Sequence, residues 1–368
     1  MNSLSAHPEP GIGAVPRGTG RVSSASRGVR IPPAALPALY GGVPPNLSAL
    51  SRARDAEGTV RLRVPYSIAN VGPGFDRFGL CLDAIEDVLE FEPRRSGGLS
   101  VEVEGDPTLS TVPALNAASA ALTASFEGAG KVASGTLRIR KGFPGGSGIG
   151  SSGASAVGGA LAGAISLGRS LDSDASLREI LRCAAEGGER AAAGTAHYDN
   201  VVASLAGAFT FLESVDPLVA LRIVPPPRLR VAVAVPVRPL ATRLARSVLP
   251  VRVPLTDVSE NIGRACSLVH GLLTGNLEQA GRGLSDRIAE PYRAHLVPGF
   301  VEACRAARHA GAWGAGLAGS GPAVFAFCAE ERVSKVLEAL AAPLAQAGED
   351  PRTFSSGVGT GPGPVVGS

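Results

Sequence analysis

At the centre of the sequence stands the stretch Pro144-Gly145-Gly146-Ser147-Gly148-Ile149-Gly150-Ser151-Ser152-Gly153-Ala154-Ser155-Ala156. Its glycines allow positive φ angles and bring bare backbone N–H groups against a ligand. From Ser151 onwards the apolar residues recur at helical spacing, so the unpaired N–H groups and the positive dipole end of a helix would face the same place. This combination predicts an anion-binding loop, and phosphate is the anion most commonly bound in this way.

Dinucleotide binding, a Walker loop and a membrane span agree less well with these residues. Gly146, Gly148 and Gly150 follow a G-x-G-x-G spacing, whereas a dinucleotide fingerprint needs G-x-G-x-x-G and a Walker loop ends in a lysine. Residues 142–168 carry no charge, but too few of them are strongly apolar for a membrane span. On this stretch alone, a glycine-rich loop without a ligand stays open. The helix after it keeps several glycines, which predicts a buried helix packed closely on a sheet.

The composition is that of a chain able to bury a substantial core, since 45% of its 368 residues are hydrophobic and 18% are charged. The formal net charge of +3 is small for this length, and no basic run interleaved with aromatic residues indicates a nucleic-acid surface. The five cysteines are scattered without a C-x-x-C pair, which is typical of reduced thiols rather than of a zinc site. We therefore expect no nucleic-acid partner and no membrane partner.

Residues 1–58 differ from the rest of the chain. They are rich in Pro, Gly, Ser, Ala and Arg and show no hydrophobic period, which predicts a disordered N-terminal extension. A composition rich in arginine and serine and poor in acids is also typical of an organelle transit peptide. A dispensable tail, or a start codon placed too early, explains the same composition.

The remaining chain is expected to form two α+β domains, 59–220 and 221–360, with a Gly/Pro-rich tail at the end. Strand and helix segments alternate without the steady βαβ order of a doubly wound sheet. An alternating strand at 136–140 leads into the glycine loop, which therefore lies at a strand-to-helix junction. Further helices are expected at 175–193, 257–273, 276–288, 298–310 and 331–346.

Several segments together resemble the motifs of the GHMP superfamily of small-molecule kinases, and in particular its homoserine kinase branch. The segments that carry the resemblance are Ser67–Asp76, Pro144–Ala156, His197–Asn200, Glu290–Arg293 with Pro298–Phe300, and Gly319–Pro322. The phosphate loop departs from the family pattern Pro-x-Gly-Ser-Gly-Leu-Gly-Ser-Ser-Ala only at Ile149 and Gly153. The resemblance covers about residues 60 to 360, and the joint match is far more specific than a glycine loop by itself.

The resemblance implies a two-domain architecture, with the phosphate loop in an N-terminal sheet-and-helix domain and a C-terminal ferredoxin-like α+β domain. It implies phosphorylation of L-homoserine by ATP in threonine biosynthesis, with ATP and Mg²⁺ as cofactors, and leaves a homodimer open. The expected location is the cytoplasm, or the plastid stroma if residues 1–58 are a transit peptide. The alternatives are another GHMP kinase, such as a mevalonate-type kinase, and a non-catalytic ligand sensor on the same fold.

The resemblance also assigns roles residue by residue. The expected ATP contacts are Pro144, Gly145, Gly146, Ser147, Gly148, Ile149, Gly150, Ser151, Ser152, Gly153 and Ala154, with Asn116 near the adenine. The expected Mg²⁺ ligands are Ser151 and Glu189. The expected substrate contacts are Asn70, Asp76, His197, Asn200, Arg246, Arg293, Gly319 and Ser320, and the expected catalytic residues are Asn200, Thr242 and Arg246.

The chemistry of a homoserine-like substrate agrees with these assignments. Its ammonium suits Asp76, and its carboxylate suits the planar fork of Arg246 or Arg293. Asp199 is a candidate general base on the substrate hydroxyl, and this role is left open. Phosphoryl transfer through a loose transition state demands little activation of the nucleophile.

Overall fold

The structure, a computed structural model, describes residues 47–365. These residues form two sheets, of seven and four strands, with helices packed against both. The predicted disorder of residues 1–46 lies outside the described residues. Within the described part of the chain, no helix has both the length and the apolar character that crossing a membrane requires.

The larger sheet contains the strands β1 (Val60–Ala69), β2 (Phe78–Pro93), β3 (Leu99–Glu104), β4 (Gly135–Arg140), β5 (Phe209–Val215), β6 (Leu218–Ile223) and β11 (Gly363–Pro364). Its strand order is β11-β1-β2-β4-β3, and the first residues of β2 also pair with β5, which pairs with β6. The strands β3 and β4 are parallel, and the other neighbours are antiparallel. The strand β4 ends four residues before the glycine loop begins, as the alternating pattern predicted.

The helices of this half lie between strands of the larger sheet in the chain. They are α1 (Ala117–Glu127) between β3 and β4, and α2 (Ser151–Ser166), α3 (Asp174–Arg182), α4 (Arg190–Ala193) and α5 (Tyr198–Ala206) between β4 and β5, with a π-helical segment (Cys183–Glu189) between α3 and α4. The helix α2 is buried over nearly its whole length, as predicted. Its glycines permit close approach on two sides, because a Cβ at Gly159 would overlap the carbonyl oxygen of Ala118 and one at Gly158 would lie 2.6 Å from the Leu89 side chain. The helix therefore packs tightly against α1 as well as against the sheet.

The smaller sheet contains β7 (Arg230–Val235), β8 (Gly314–Leu317), β9 (Val324–Cys328) and β10 (Arg352–Ser356), in the antiparallel order β10-β7-β9-β8. The helices of this half are α6 (Thr242–Ser247), α7 (Leu255–Thr274), α8 (Leu277–Arg282), α9 (Glu290–Arg293), α10 (Phe300–His309) and α11 (Val333–Gln346). This order of strands and helices is ferredoxin-like, which confirms the predicted fold class.

The strand β7 joins the two hydrophobic cores of the protein. Because successive side chains of a strand point to opposite faces, Val231 and Val233 pack in the larger core, whereas Ala232 and Ala234 pack in the smaller one. The smaller core lies between the sheet and the helices α10 and α11. The two cores therefore share one sheet as their common wall.

The limits of several elements differ from those predicted. The predicted helix at 276–288 ends at Arg282. At the next residue, Gly283, the backbone passes so close to α7 that a Cβ would lie 2.5 Å from the Leu268 nitrogen. The predicted division between 220 and 221 falls inside β6, a strand of the larger sheet. The Gly/Pro-rich tail supplies β10 to the smaller sheet and β11 to the larger one. The chain therefore returns to the first sheet after leaving it.

Ordered structure also begins before the predicted limit at residue 58. A 3₁₀-helical turn spans Ser48–Ala53, and Leu47, Leu50 and Ala53 are 1%, 0% and 4% exposed in the larger core. Residues three apart lie on the same side of a 3₁₀ helix, so this spacing places all three on its buried face. A composition-based prediction missed them because three apolar residues hardly change the average over such a segment.

Candidate active site

A cavity of about 530 Å³ opens beside the glycine loop. The residues that line it come from both halves of the chain, from Asn70 to Ser320. Predicted residues on its wall are Asn70, Asn116, Gly145, Gly146, Ser147, Gly148, Gly150, Ser151, Ser152, Glu189, His197, Asn200, Thr242, Arg246, Arg293, Gly319 and Ser320. The structure therefore brings together the segments that the sequence resemblance had linked.

The glycine loop is held by its backbone. Gly146, Gly148 and Gly150 have φ angles of +72°, +82° and +70°, a region in which side chains are strained. At Gly148 the strain would be joined by a clash, since a Cβ would lie 2.5 Å from the carbonyl oxygen of Gly321. The Ser67 amide donates to the Ile149 carbonyl at 3.3 Å, which fixes the loop to β1. The loop then enters α2 at Ser151, so the N-terminal N–H groups of α2 face the cavity.

A buried polar network lies beneath the loop and was not predicted. Asp87 on β2 forms an ion pair with Lys141 and accepts hydrogen bonds from Tyr66 OH at 2.6 Å and Ser155 Oγ at 2.7 Å. Lys141 Nζ also donates to the carbonyl oxygen of Ser151 at 3.1 Å. Burial lowers the pKa of Lys141, and Asp87 opposes that effect. Lys141 thus ties the start of α2 to the sheet, and it also lines the cavity.

Glu189 and His197 form a pair at the edge of the loop. Glu189 is 1% exposed, and its Oε2 lies 2.9 Å from His197 Nδ1, while Thr195 Oγ1 lies 3.0 Å from His197 Nε2. Burial alone would lower the pKa of His197, but the hydrogen bond and charge of Glu189 raise it above its usual value. The other carboxylate oxygen, Oε1, is buried and has no hydrogen-bond partner among the residues that the structure describes.

Two arginines, Arg246 and Arg293, line the same cavity. Arg246 Nη2 donates to Asp76 Oδ1 at 2.6 Å, and Nη1 donates to Asp76 Oδ2 at 3.2 Å. Arg293 is 2% exposed, and its Nε donates to the carbonyl oxygen of Ala245 at 3.1 Å. Arg293 Nη1 and Asn70 Nδ2 both donate to the carbonyl oxygen of Gly319, at 3.3 Å and 3.1 Å. These contacts join the first and third predicted motifs.

Asp199 is a second deeply buried acid on the cavity wall. It is 2% exposed, and its Oδ2 is without a hydrogen-bond partner in the described part of the chain. Burial, followed by the charge of Asp76, raises the pKa of Asp199 to about 6. The neighbouring Asn200 accepts hydrogen bonds from Ser67 Oγ, at its carbonyl oxygen (3.1 Å) and at Oδ1 (3.3 Å). An acceptor with no partner in such a place suits a ligand that carries N–H or O–H donors.

Comparison with known proteins identifies the family. Residues 114–208 match the GHMP kinases N terminal domain, and residues 268–346 match the GHMP kinases C terminal family. The homoserine kinase of Thermococcus gammatolerans is 45% identical over 267 residues, which are 73% of this chain and 87% of that protein. This chain belongs to the homoserine kinase family of the GHMP kinases.

Two further relatives agree with this membership. The homoserine kinase of Halobacterium salinarum is 35% identical over 307 residues, which are 82% of this chain and 95% of that protein. The crystal structure of a homoserine kinase from Cytophaga hutchinsonii superposes with a TM-score of 0.78 at 31% identity, covering 84% of this chain and 98% of its own.

Not every site residue expected of this kinase family reaches the cavity. Ile149 and Ala154 are fully buried beneath the loop, and a Cβ at Gly153 would lie 2.9 Å from the Asn200 side chain. Pro144 lines a smaller neighbouring cavity instead. Asp76, expected to face an ammonium, is not on the cavity wall and pairs with Arg246. These residues support the loop or pair with Arg246 without lining the cavity themselves.

Lys141 is the clearest residue on the cavity wall that sequence reasoning missed. The chain has only three lysines among 35 basic residues, and one of them lies three residues before Pro144, where the glycine-rich stretch begins. A lysine in a chain that otherwise uses arginine was the feature of the sequence that could have identified this residue. A compact ammonium fits between Asp87, Ser155 and the Ser151 carbonyl oxygen, where a planar guanidinium would need more space.

Proposed function

We propose that this kinase transfers the terminal phosphoryl group of ATP to the hydroxyl of L-homoserine, giving O-phospho-L-homoserine and ADP. The observation that carries the proposal is one cavity with a phosphate-binding loop on one wall and a buried, charged acceptor site on the other. The membership of the homoserine kinase family supports the same substrate. The reaction would supply the phosphorylated precursor for threonine synthesis, as the family resemblance implies.

The charges on the acceptor wall favour an amino acid over mevalonate. Arg246 and Arg293 supply the cations that a carboxylate needs. The buried carboxylate of Asp199, with its partnerless oxygen, suits an ammonium, which mevalonate lacks. With both charges of the amino acid bound, no ion on this wall would be left without a counter-ion. A mevalonate-type substrate would leave Asp199 uncompensated in a buried place.

The residues of the chain act mainly by positioning. The loop amides and the N-terminus of α2 would hold the phosphates, and Asn116, which caps α1, would lie beside the base. Asn200 and Thr242 would face the hydroxyl, with Ser320 beside Thr242, since Thr242 Oγ1 lies 3.5 Å from Ser320 Oγ. A loose transition state demands little activation of the nucleophile, so a strong base is not required. We therefore assign the proton of the hydroxyl to the transferring phosphoryl group rather than to Asp199.

We also propose Ser151 and Glu189 as the residues that hold Mg²⁺. Both line the cavity, and the partnerless Oε1 of Glu189 is the kind of oxygen that this ion binds. No cluster of three or more His, Cys, Asp and Glu side chains capable of holding a metal occurs within residues 47–365. That agrees with an ion that takes one or two protein oxygens and completes its shell with phosphate and water. Bound there, Mg²⁺ would neutralise phosphate charge.

The substrate proposal is tested with the purified full chain, ATP and Mg²⁺. We expect ADP release that depends on L-homoserine and is absent with mevalonate, because only the amino acid matches both charges of the acceptor wall. Release with mevalonate and none with homoserine would contradict the proposal. Binding of either compound without ADP release would instead support the ligand-sensor alternative. The cytoplasmic location and the homodimer stay predictions.

The metal proposal is tested with Glu189→Gln, which keeps a hydrogen bond to His197 and removes the negative charge. We expect kcat to fall about 10²- to 10³-fold, by analogy with other losses of charge stabilisation at a reacting centre. Raising the Mg²⁺ concentration should recover part of the rate. The matched control is Glu186→Gln, in the same π-helical segment but outside the cavity wall, which should keep its rate. Near-normal turnover of Glu189→Gln at ordinary Mg²⁺ concentrations would reject the assignment.

A further inference from the structure

The two arginines of the acceptor wall share one aromatic ring. The guanidinium carbon of Arg293 lies 5.3 Å from the centroid of the Phe75 ring, and that of Arg246 lies 5.6 Å from the same centroid. Both guanidinium groups are cationic and lie near the same ring, so they repel one another. Burial, followed by the charge of Arg246, lowers the pKa of Arg293. Asp76 neutralises Arg246, but no carboxylate pairs with Arg293 in the described part of the chain. The shared ring is therefore a contact that opposes the repulsion.

Core packing does not explain an aromatic residue at position 75. Phe75 is only half-buried and lies outside both hydrophobic cores among residues 47–365. Its neighbour Phe78, in contrast, is buried and packs edge-to-face on Phe209. A leucine would satisfy a half-buried apolar position equally well. The feature that distinguishes a phenyl ring is the negative electrostatic potential of its face, which attracts guanidinium groups.

The backbone that carries Phe75 is held on both sides of the residue. The Asp76 amide donates to Asn70 Oδ1 at 2.7 Å, and Asn261 Nδ2 donates to the carbonyl oxygen of Pro73 at 3.1 Å. Asn261 is itself 5% exposed, so this second bond links the Phe75 turn to a buried side of α7. The ring is thus attached to a turn with little freedom to move, which a platform for two flexible side chains requires.

We propose that Phe75 is the positioning residue of the substrate-carboxylate clamp: its ring holds Arg246 and Arg293 side by side before the substrate arrives. This inference rests on the proposed function, because it needs an acceptor that carries a carboxylate. Preorganising the pair removes part of the cost of ordering it on binding. The ring therefore contributes to affinity for the carboxylate and not to the phosphoryl-transfer step. It makes Phe75 a determinant of specificity for amino-acid alcohols over plain amino alcohols.

The experiment compares wild type, Phe75→Leu, Phe75→Tyr and a chain with pentafluorophenylalanine at position 75. Pentafluorophenylalanine keeps the shape of the ring but reverses the sign of the electrostatic potential at its face. We expect Phe75→Leu and the fluorinated chain to raise the KM for L-homoserine about tenfold, with kcat and the KM for ATP changed less than about twofold. Phe75→Tyr should restore the wild-type KM. The control Phe126→Leu, another half-buried ring at the end of α1, should change none of these values.

A second ligand separates positioning from a general structural role. The compound 3-aminopropan-1-ol has the ammonium and hydroxyl of homoserine without its carboxylate. Its inhibition constant against homoserine should be the same for wild type and Phe75→Leu. An equal loss for this compound, or for ATP, would overturn the inference in favour of a structural role.

The outcomes also separate this inference from the proposed function. Wild type without homoserine-dependent ADP release would contradict the function itself. Wild type with that activity, together with a fluorinated chain of unchanged homoserine KM, would overturn only the role of Phe75. If Phe75→Leu fails to unfold cooperatively, the fluorinated chain decides, because its ring occupies nearly the same space.

Discussion

The two walls of the cavity are built in opposite ways. The nucleotide wall comes from one short segment, Gly145–Ser152, whose glycines permit the required φ angles and whose backbone N–H groups are proposed to bind the phosphates. The acceptor wall is made of side chains from distant segments, such as Asp199, Arg246 and Arg293. The nucleotide wall depends on the backbone conformation of one segment. The acceptor wall depends on which charged side chains the fold brings together. A substitution should therefore act through geometry on one wall and through electrostatics on the other.

The largest effect on activity is expected for Gly148→Ala. Its φ of +82° strains any side chain, and the new Cβ would lie 2.5 Å from the Gly321 carbonyl oxygen, so the loop must separate from the third motif. A displacement of about 1 Å at a reacting centre costs about 10²-fold in rate, and we expect at least that loss in kcat/KM for ATP.

The control for this variant is Gly98→Ala. Gly98 has a φ of +76°, and nothing lies within 4 Å of a Cβ built on it. It therefore carries the same backbone strain at a position remote from the cavity wall. A loss of activity in the control as large as in Gly148→Ala would remove the distinction between a clash in the loop and a general loss of stability.

A smaller effect on turnover is expected for Asp199→Asn, which tests the electrostatic wall. Without a general-base role, kcat should fall less than about tenfold, well below the 10²- to 10⁴-fold typical of a lost base. A drop of several thousandfold in kcat, with unchanged folding and homoserine KM, would show that Asp199 is the base and would contradict our assignment of the proton.

The same variant should gain stability at high pH. Burial raises the pKa of Asp199 to about 6, above the ordinary value of a carboxyl group. The folded state therefore binds this proton more tightly than the unfolded state, and stability falls as the pH rises from about 4 to about 6. At pH 8 we expect the free energy of unfolding of Asp199→Asn to exceed that of wild type by about 1–3 kcal/mol, with little difference at pH 4. Denaturant unfolding of both proteins at pH 4 and pH 8 measures this difference in the free energy of unfolding.

The smallest effect on activity is expected for a chain that begins at Thr59, because none of the described residues that it lacks, 47–58, lines the cavity. It lacks Leu47 and Leu50, whose burial contributes about 1.5–3 kcal/mol each, so the free energy of unfolding should fall by about 3–6 kcal/mol. A chain that begins at Leu47 is the matched control. Below the melting temperature both KM values should equal those of the full chain. A raised KM for either substrate would show that this edge of the larger core influences a cavity wall.

Much of the nucleotide wall could be predicted from the sequence because its determinants are local. The glycine spacing, the helix that begins at Ser151 and the strand before the loop each depend on residues a few positions apart. Strand alternation and helical spacing likewise indicated an α+β protein, and the joint motifs indicated its family. The acceptor residues were identified only through that resemblance, since no local pattern places Arg293 beside Asn70.

Tertiary structure decided how the distant residues pair. Asp76 and Arg246 are 170 positions apart, and their ion pair gives Asp76 a partner within the protein, whereas its chemistry alone had suggested the substrate ammonium. Asp87 and Lys141 meet only because β2 and β4 are neighbours, and Leu47 and Leu50 are core residues only because β1 and β11 leave a place for them. Local spacing determines the conformation of a segment. Which side chains become counter-ions, or share one aromatic ring, depends on how distant segments of the chain pack together. The spacing of residues within one segment carries no information about that packing.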